Sequence, residues 1–269
     1  MHVQPVIFHA PKQGYAPDEW EDGAKGGVFG VSRDGDPLIR FAVADGATEA
    51  YESRRWVSQL LGSFMSLDQA GGMSWPDLEY GSMSAWFKAM QEQWQAAAPA
   101  AADYIELRKI QQGTLATFVG GQIFGLNTPA PVWRAAALGD SVFFHVRDGH
   151  LLNQLPSMRS SDFDSAPEGI STLPERLGRM SDQVRIEQGP LAAGDLLFAA
   201  TDAFAKWMIT CVERGDPLLW QVLGHLVHPV EFGQLVAELR RVMAMKDDDV
   251  TLMRIRLLQQ PVSTVVVCL

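Results

Sequence analysis

The sequence predicts an α+β fold, and three features carry that expectation. Strand-like and helix-like segments come in blocks rather than in strict alternation, which favours α+β over a doubly wound parallel sheet. Short apolar runs in the middle of the chain are joined by tight-turn signals, Gly139-Asp140-Ser141 and Arg147-Asp148-Gly149, the spacing of antiparallel meanders. A length of 269 residues, 47 % of them hydrophobic, allows one large domain or two small ones around a sizeable core.

In chain order, residues 3–8, 28–31 and 38–44 read as strands, the last rich in β-branched and aromatic residues, and Asp45-Gly46 breaks it. From Ser53 the pattern turns helical, with Trp56, Leu60, Leu61 and Phe64 recurring at three and four residues. A second helix is expected after Pro76, with Ser74 as N-cap and Leu78, Trp86, Phe87, Met90 and Trp94 on its apolar side. An Ala-rich stretch at 96–102 leads to a more polar helix near 104–110. Residues 114–124, 132–138 and 142–146 are strand-like. Gly120-Gly121 lacks the Lys-Ser/Thr of a phosphate loop and reads as a hairpin turn or bulge. The aperiodic, Pro-, Ser- and Asp-containing run at 153–181 reads as a mobile excursion, a candidate substrate flap at about 150–185. An apolar strand at 196–201 ends on Asp202. Helices at about 203–212 and 230–245 follow, and 250–257 closes the sheet.

Charge narrows the function classes. With 22 basic against 32 acidic residues, a net charge of -10 and a pI near 5.0, neither a nucleic-acid nor an anionic-membrane surface is expected. The two cysteines, Cys211 and Cys268, lack metal-ligand spacing and read as reduced thiols of a cytoplasmic protein. No basic start leads into a long apolar run, so neither export nor membrane insertion is expected. His225 and His228 have no third ligand nearby and read as structural or solvated.

Four acidic clusters hang on the strand-like runs: Glu21-Asp22, Asp45-Gly46, Asp202-Ala203 and Asp247-Asp248-Asp249. Carboxylates at the ends of buried strands are unfavourable unless something positive compensates them, which points to a divalent metal centre. Sites built from Asp without His or Cys suit Mg²⁺ or Mn²⁺ better than Zn²⁺.

Six motifs in order resemble those of the metal-dependent protein phosphatase 2C family, over most of the chain. Trp20-Glu21-Asp22 is similar to the family's Asn-Glu-Asp, and Val43-Ala44-Asp45-Gly46 to Val-x-Asp-Gly. Gly113-Thr114-Leu115-Ala116 resembles Gly-Thr-x-Ala, and Leu138-Gly139-Asp140-Ser141 resembles Gly-Asp-Ser. Residues 196–202 are similar to Leu-Leu-x-x-Thr-Asp-Gly, and Asp248-Asp249-Val250-Thr251 to Asp-Asn-Val-Thr. The resemblance implies a single phosphatase domain over 1–269, a four-layer α-β-β-α sandwich of two central antiparallel sheets flanked by helices. It implies two Mg²⁺ or Mn²⁺ ions, bridged by Asp45, one also held by the Gly46 carbonyl and the other by Asp202 and Asp248, with Glu21 and Asp22 holding metal-bound waters. Two such ions roughly 3.5 to 4 Å apart lower the pKa of a bridging water and clamp a phosphoryl group for in-line attack. No nucleophilic side chain is then needed, and no Cys-x5-Arg loop is present.

Several positions depart from the family pattern. Pro17 stands where many relatives have a phosphate-gripping Arg, for which Lys12, Lys25 or Arg33 are the substitutes at hand. Ala47 replaces a His proposed as general acid, and Ala203 replaces a Gly. Lys206 takes the place of an Asp of a third metal site, where its ammonium could pair with Asp140. The expected activity is hydrolysis of phosphoserine or phosphothreonine in a phosphorylated protein. The competing expectation is a pseudophosphatase that keeps the fold and acts as a binding module. No oligomeric state is encoded.

Overall fold

The computed structural model describes residues 1–15, 20–31, 35–47, 50, 52–66, 78–97, 104–163 and 167–259. One sheet has the order β1 (His2–Ala10), β11 (Val250–Leu258), β10 (Leu196–Ala200), β6 (Val142–Arg147), β7 (His150–Leu155). The other runs β2 (Gly23–Val31), β3 (Pro37–Gly46), β4 (Leu115–Phe124), β5 (Val132–Leu138), β9 (Arg185–Pro190), with the short β8 (Ile170–Ser171) beside β4. Every pairing is antiparallel. Helices α1 (Ser53–Met65), α2 (Tyr80–Ala96), α3 (Tyr104–Gln112) and α4 (Leu177–Gln183) belong to the second sheet's half of the chain. The first sheet's side carries α5 (Asp202–Glu213), α6 (Leu219–His225) and α7 (Pro229–Arg241). The expected α+β sandwich is the one observed.

Strand alternation makes the layers. In β3, Phe41 and Val43 meet Val119, Trp133, Phe143 and Met253 between the sheets, while Ala42 and Ala44 lie under Trp56, Leu60 and Phe64 of α1. In β10, Leu197 and Ala199 face the other sheet, and Phe198 and Ala200 face Phe204 and Trp220 of the α5–α7 layer. A strand buried on both faces reads as a near-continuous apolar run, which is why β10 and β3, the latter interrupted by the buried Arg40, stand out in the sequence.

Gly120-Gly121 is a correction to the sequence reading: both sit inside β4 in unbroken register, Gly121 opposite Phe41 and Gly120 opposite Ala42. A Cβ on Gly121 would collide with the Phe41 ring and lie 3.0 Å from the Arg134 carbonyl, so the glycines make room for the aromatic packing. Gly121→Ala is expected to lower stability by about 1–3 kcal/mol through overpacking, read as a fall in thermal midpoint.

The Asp148-Gly149 hairpin forms as expected, with φ of 50 and 75 in the two turn residues. Within the 150–185 stretch the chain forms β7, β8 and α4, and Ile170, Ser171, Met180 and Val184 are buried against β4 and the α2 layer. Residues 164–166 of that stretch, and the expected N-cap at Ser74-Pro76, lie outside the described residues. Among the described residues no helix is long and apolar enough to cross a membrane.

Candidate metal centre

Sheet register brings the acidic segments to one end of the sandwich. Because β10 and β11 are antiparallel, the end of β10 and the start of β11 coincide, and Thr201 N–H reaches the Thr251 carbonyl at 3.1 Å. In the other sheet, Gly23 pairs with Ala44, so Glu21-Asp22 arrive beside Asp45-Gly46. Asp22 ties the two sheets together: its Oδ2 accepts from Thr201 Oγ1 at 2.9 Å and Thr251 Oγ1 at 2.8 Å. Asp140, on the turn between β5 and β6, is buried. Beneath it, the hydroxyls of Thr117 and Ser141 share a hydrogen bond of 2.7 Å.

The carboxylates crowd one another. Burial pushes Asp22 up to about 8, partly offset by hydrogen bonds from Asp45, Thr251 and Thr201, while the Asp202 charge adds to the rise. Asp45 is held well above the usual carboxylate range by burial and then by the charges of Asp22, Asp202 and Asp140. Asp202 is raised by burial and by Asp248, against the opposing pull of the Ala203 N–H, Lys246 and Lys206. Glu21 is raised by burial, although Ser53 Oγ donates to it at 2.8 Å. Four acids that all resist ionisation in one place describe a site short of positive charge.

Asp22 Oδ1 is buried without a backbone, hydroxyl or amide donor, and the Asp22 carboxyl shares a hydrogen bond with the Asp45 carboxyl. Such an oxygen calls for a proton, a water or a cation. At Gly46, a Cβ would sit 3.1 Å from both the Glu21 carbonyl and the Ser53 Cβ, so a side chain there would push these neighbours apart by a few tenths of an ångström. Carboxylates and carbonyls alone make up the donor set, which fits a hard divalent cation. Among the described residues, no three His, Cys, Asp or Glu side chains are yet gathered around a single point. The geometry explains why: Asp248 is turned onto the Lys246 ammonium, 2.5 Å away, and Asp202 onto the backbone N–H of Ala203.

The three consecutive aspartates divide the work. Asp249 accepts from Lys12 N–H at 3.0 Å and Glu21 N–H at 2.7 Å, pinning the segment that presents Glu21 and Asp22. Asp247 accepts from Gln13 N–H at 3.0 Å. Asp248 alone faces Lys246 and Asp202. Of the cations weighed from the sequence, Lys206 is exposed one turn along α5, and its charge acts on Asp202 rather than closing an ion pair with Asp140. Lys12 lies over the Tyr15 ring and Lys25 is exposed, extending past Gly62 of α1. Pro17 and Arg33 lie outside the described residues. Lys246 was missed. The available signal was its place two residues before Asp248. His225 Nδ1 lies 2.7 Å from the Gln221 carbonyl and His228 begins α7, both structural roles.

This topology, with its acids at one end of two packed antiparallel sheets, is the phosphatase 2C fold, and comparison with solved structures finds the same. The Mycobacterium tuberculosis serine/threonine phosphatase PstP/Ppp superposes over 96 % of this chain and 99 % of its own, with a TM-score of 0.60 at 14 % identity. A structure of the PstP catalytic domain in complex with two manganese ions matches over 96 % of this chain and 99 % of its own, with a TM-score of 0.57 at 14 % identity. A bacterial serine phosphatase matches over 97 % of this chain and 100 % of its own, with a TM-score of 0.59 at 15 % identity. No family model and no curated protein matches the sequence.

Proposed function

We propose that this protein is a Mg²⁺- or Mn²⁺-dependent phosphatase of phosphoserine and phosphothreonine in proteins, built as one domain over 1–269 and working in the cytoplasm. The observation that carries the reading is the buried Asp22 Oδ1 with no backbone, hydroxyl or amide donor, beside an Asp45 whose pKa is raised well above the carboxylate range by burial and then by the charges of Asp22, Asp202 and Asp140. Asp45, the Gly46 carbonyl, Asp202 and Asp248 would hold the ions, with Glu21, Asp22 and Asp140 around them. Bound divalent cations supply an activated water and neutralise the charge that develops on the phosphoryl group.

The protein's own groups do the rest. Asp22, fixed by two threonine hydroxyls, sets the position of Asp45 across the joint between the sheets. Asp249 fixes Glu21 from its backbone while Ser53 fixes its carboxylate, so the water-holding acid has one orientation. The 150–185 stretch would contribute a substrate-covering edge. Purified protein with a phosphoseryl peptide is expected to release inorganic phosphate only when Mn²⁺ or Mg²⁺ is added. Absence of release with either ion would overturn the proposal.

A second reading, a binding module with catalysis lost, is favoured by one contact, the Lys246 ammonium already seated on Asp248. Calorimetric titration with Mn²⁺ separates the two, since tight binding at two sites belongs to the enzyme and no binding to the inert scaffold.

A further inference from the structure

Beside the acidic cluster lies a cavity of about 710 Å³ whose charge is the opposite of the protein's. Its walls include Lys206 of α5, Arg240 and Arg241 at the end of α7, Lys246 of the turn that follows, and one carboxylate, Asp247, which pairs with Arg240. That turn is set by the end of α7: Met243 takes a φ of 56, and Ala244 N–H returns to the Leu239 carbonyl at 2.9 Å. The reversal points Lys246 back to Asp248 and leaves Arg240 free to bind the Pro11 carbonyl at 2.9 Å and the Asp248 carbonyl. Four cationic side chains around one hollow are unexpected in a chain of net charge -10.

Those cations are not equally committed. Arg240 is taken up by Pro11, Asp248 and Asp247, and Arg241 by Glu238. Lys246 holds Asp248. The Lys206 ammonium makes no hydrogen bond or ion pair among the described residues, so its three N–H donors are open to a ligand.

We propose that this cavity is a subsite for an acidic residue flanking the phosphorylated one, so that the preferred substrates are phosphopeptides with Asp or Glu next to the phosphoserine or phosphothreonine. The proposal rests on the phosphatase reading above. Asp22, Asp45, Asp202 and Asp248 do not line the cavity, so it adjoins the cluster and does not coincide with it. It is also far larger than a lone phosphate ion needs. Lys206 follows Asp202 by one turn of α5, a rise of about 6 Å. An extended peptide advances about 3.3 Å per residue, so a side chain one or two positions from the phosphorylated residue spans that distance. Lys206 meets the flanking carboxylate, while Lys246 stays paired with Asp248 on the cluster's side. An exposed ammonium–carboxylate pair is a modest contributor, so the expected preference is roughly 2- to 5-fold in kcat/KM.

The test uses the full chain with Mn²⁺ and two phosphoserine peptides that differ only in Asp or Asn at the two positions on either side. Wild type is expected to prefer the Asp peptide, mainly through KM and less so at high salt. Lys206→Ala should bring the ratio near one, and Lys206→Glu should invert it. A separate arm measures calorimetric binding of the same Asp-flanked peptide carrying unphosphorylated serine, which needs no turnover, and Lys206→Glu should abolish it. Equal kcat/KM for both peptides in wild type, or a preference that survives Lys206→Glu, overturns the subsite and leaves the phosphatase reading intact. Binding of the acidic peptide without hydrolysis of either phosphopeptide supports the subsite while overturning the phosphatase. Absence of both binding and hydrolysis overturns both.

Discussion

Asp45→Asn is expected to remove Mn²⁺-dependent phosphate release and, in the same variant, to raise the thermal midpoint of the metal-free protein. Losing a group that only supports a metal ligand costs about 10- to 100-fold in affinity or activity, so removing the central carboxylate should exceed about 100-fold. The stability gain has a different origin. Burial and the charges of Asp22, Asp202 and Asp140 raise the pKa of Asp45 well above the carboxylate range, so in the absence of cations ionising it carries a cost in stability. An amide of the same size cannot ionise and still offers Asp22 a donor. Activity and stability should therefore move in opposite directions. A variant that keeps its metal-dependent activity, or that melts lower than wild type in chelator, would place the centre elsewhere.

The second large effect is on pH and metal together. Asp22 titrates near 8 in the folded protein against 3.8 when unperturbed, and Asp45, Asp202 and Glu21 are raised as well. A raised carboxyl keeps its proton in the folded state after the unfolded chain has released it. Stability is therefore full below the unfolded value and is lost as pH rises toward the folded one, by at most about 1.4 kcal/mol per pH unit for each group. His145 acts in the opposite sense. Burial depresses it below 6.5, so its contribution is complete above 6.5 and is lost as pH falls. Between 6.5 and 8, then, the carboxylates act alone.

In chelator the thermal midpoint should fall across that window, and Asp22→Asn should flatten the fall. Added Mn²⁺ stabilises by binding the folded state, and with protons competing for the same oxygens its midpoint shift should be larger at the alkaline end. A midpoint in chelator that rises across the window, with an equal Mn²⁺ shift at both ends, would be incompatible with a carboxylate centre.

Much of this was legible from the residues in order. β3 and β10 are buried on both faces, so their apolar runs and their terminal acids Asp45 and Asp202 were visible without coordinates. What escaped were elements whose stabilisation is not local. β9, Arg185-Ile186-Glu187-Gln188-Gly189-Pro190, is an edge strand with mostly exposed side chains and no alternation to read; its hydrogen bonds to β5 define it. β8 has two residues, and α4 and α6 have seven each, below the length at which periodicity shows. The group of Trp133, His145, Arg147 and Asp195 was likewise silent, because two strands and a loop bring it together.

At the site itself, the sequence by itself determined an all-oxygen set of acids at the ends of apolar strands, which points to a hard cation, and the order of the motifs carried the family resemblance that implied two antiparallel sheets. Only the tertiary structure decided which positive charge stands by which acid. Lys206, which from the sequence could pair with Asp140, is exposed and lines a cavity, while Lys246 holds Asp248 and Asp249 turns away to fix Glu21. The physical reason is that spacing along a chain sets which residues share a strand end, whereas a salt bridge depends on where two sheets and a helix terminus meet and which way each side chain leaves the backbone.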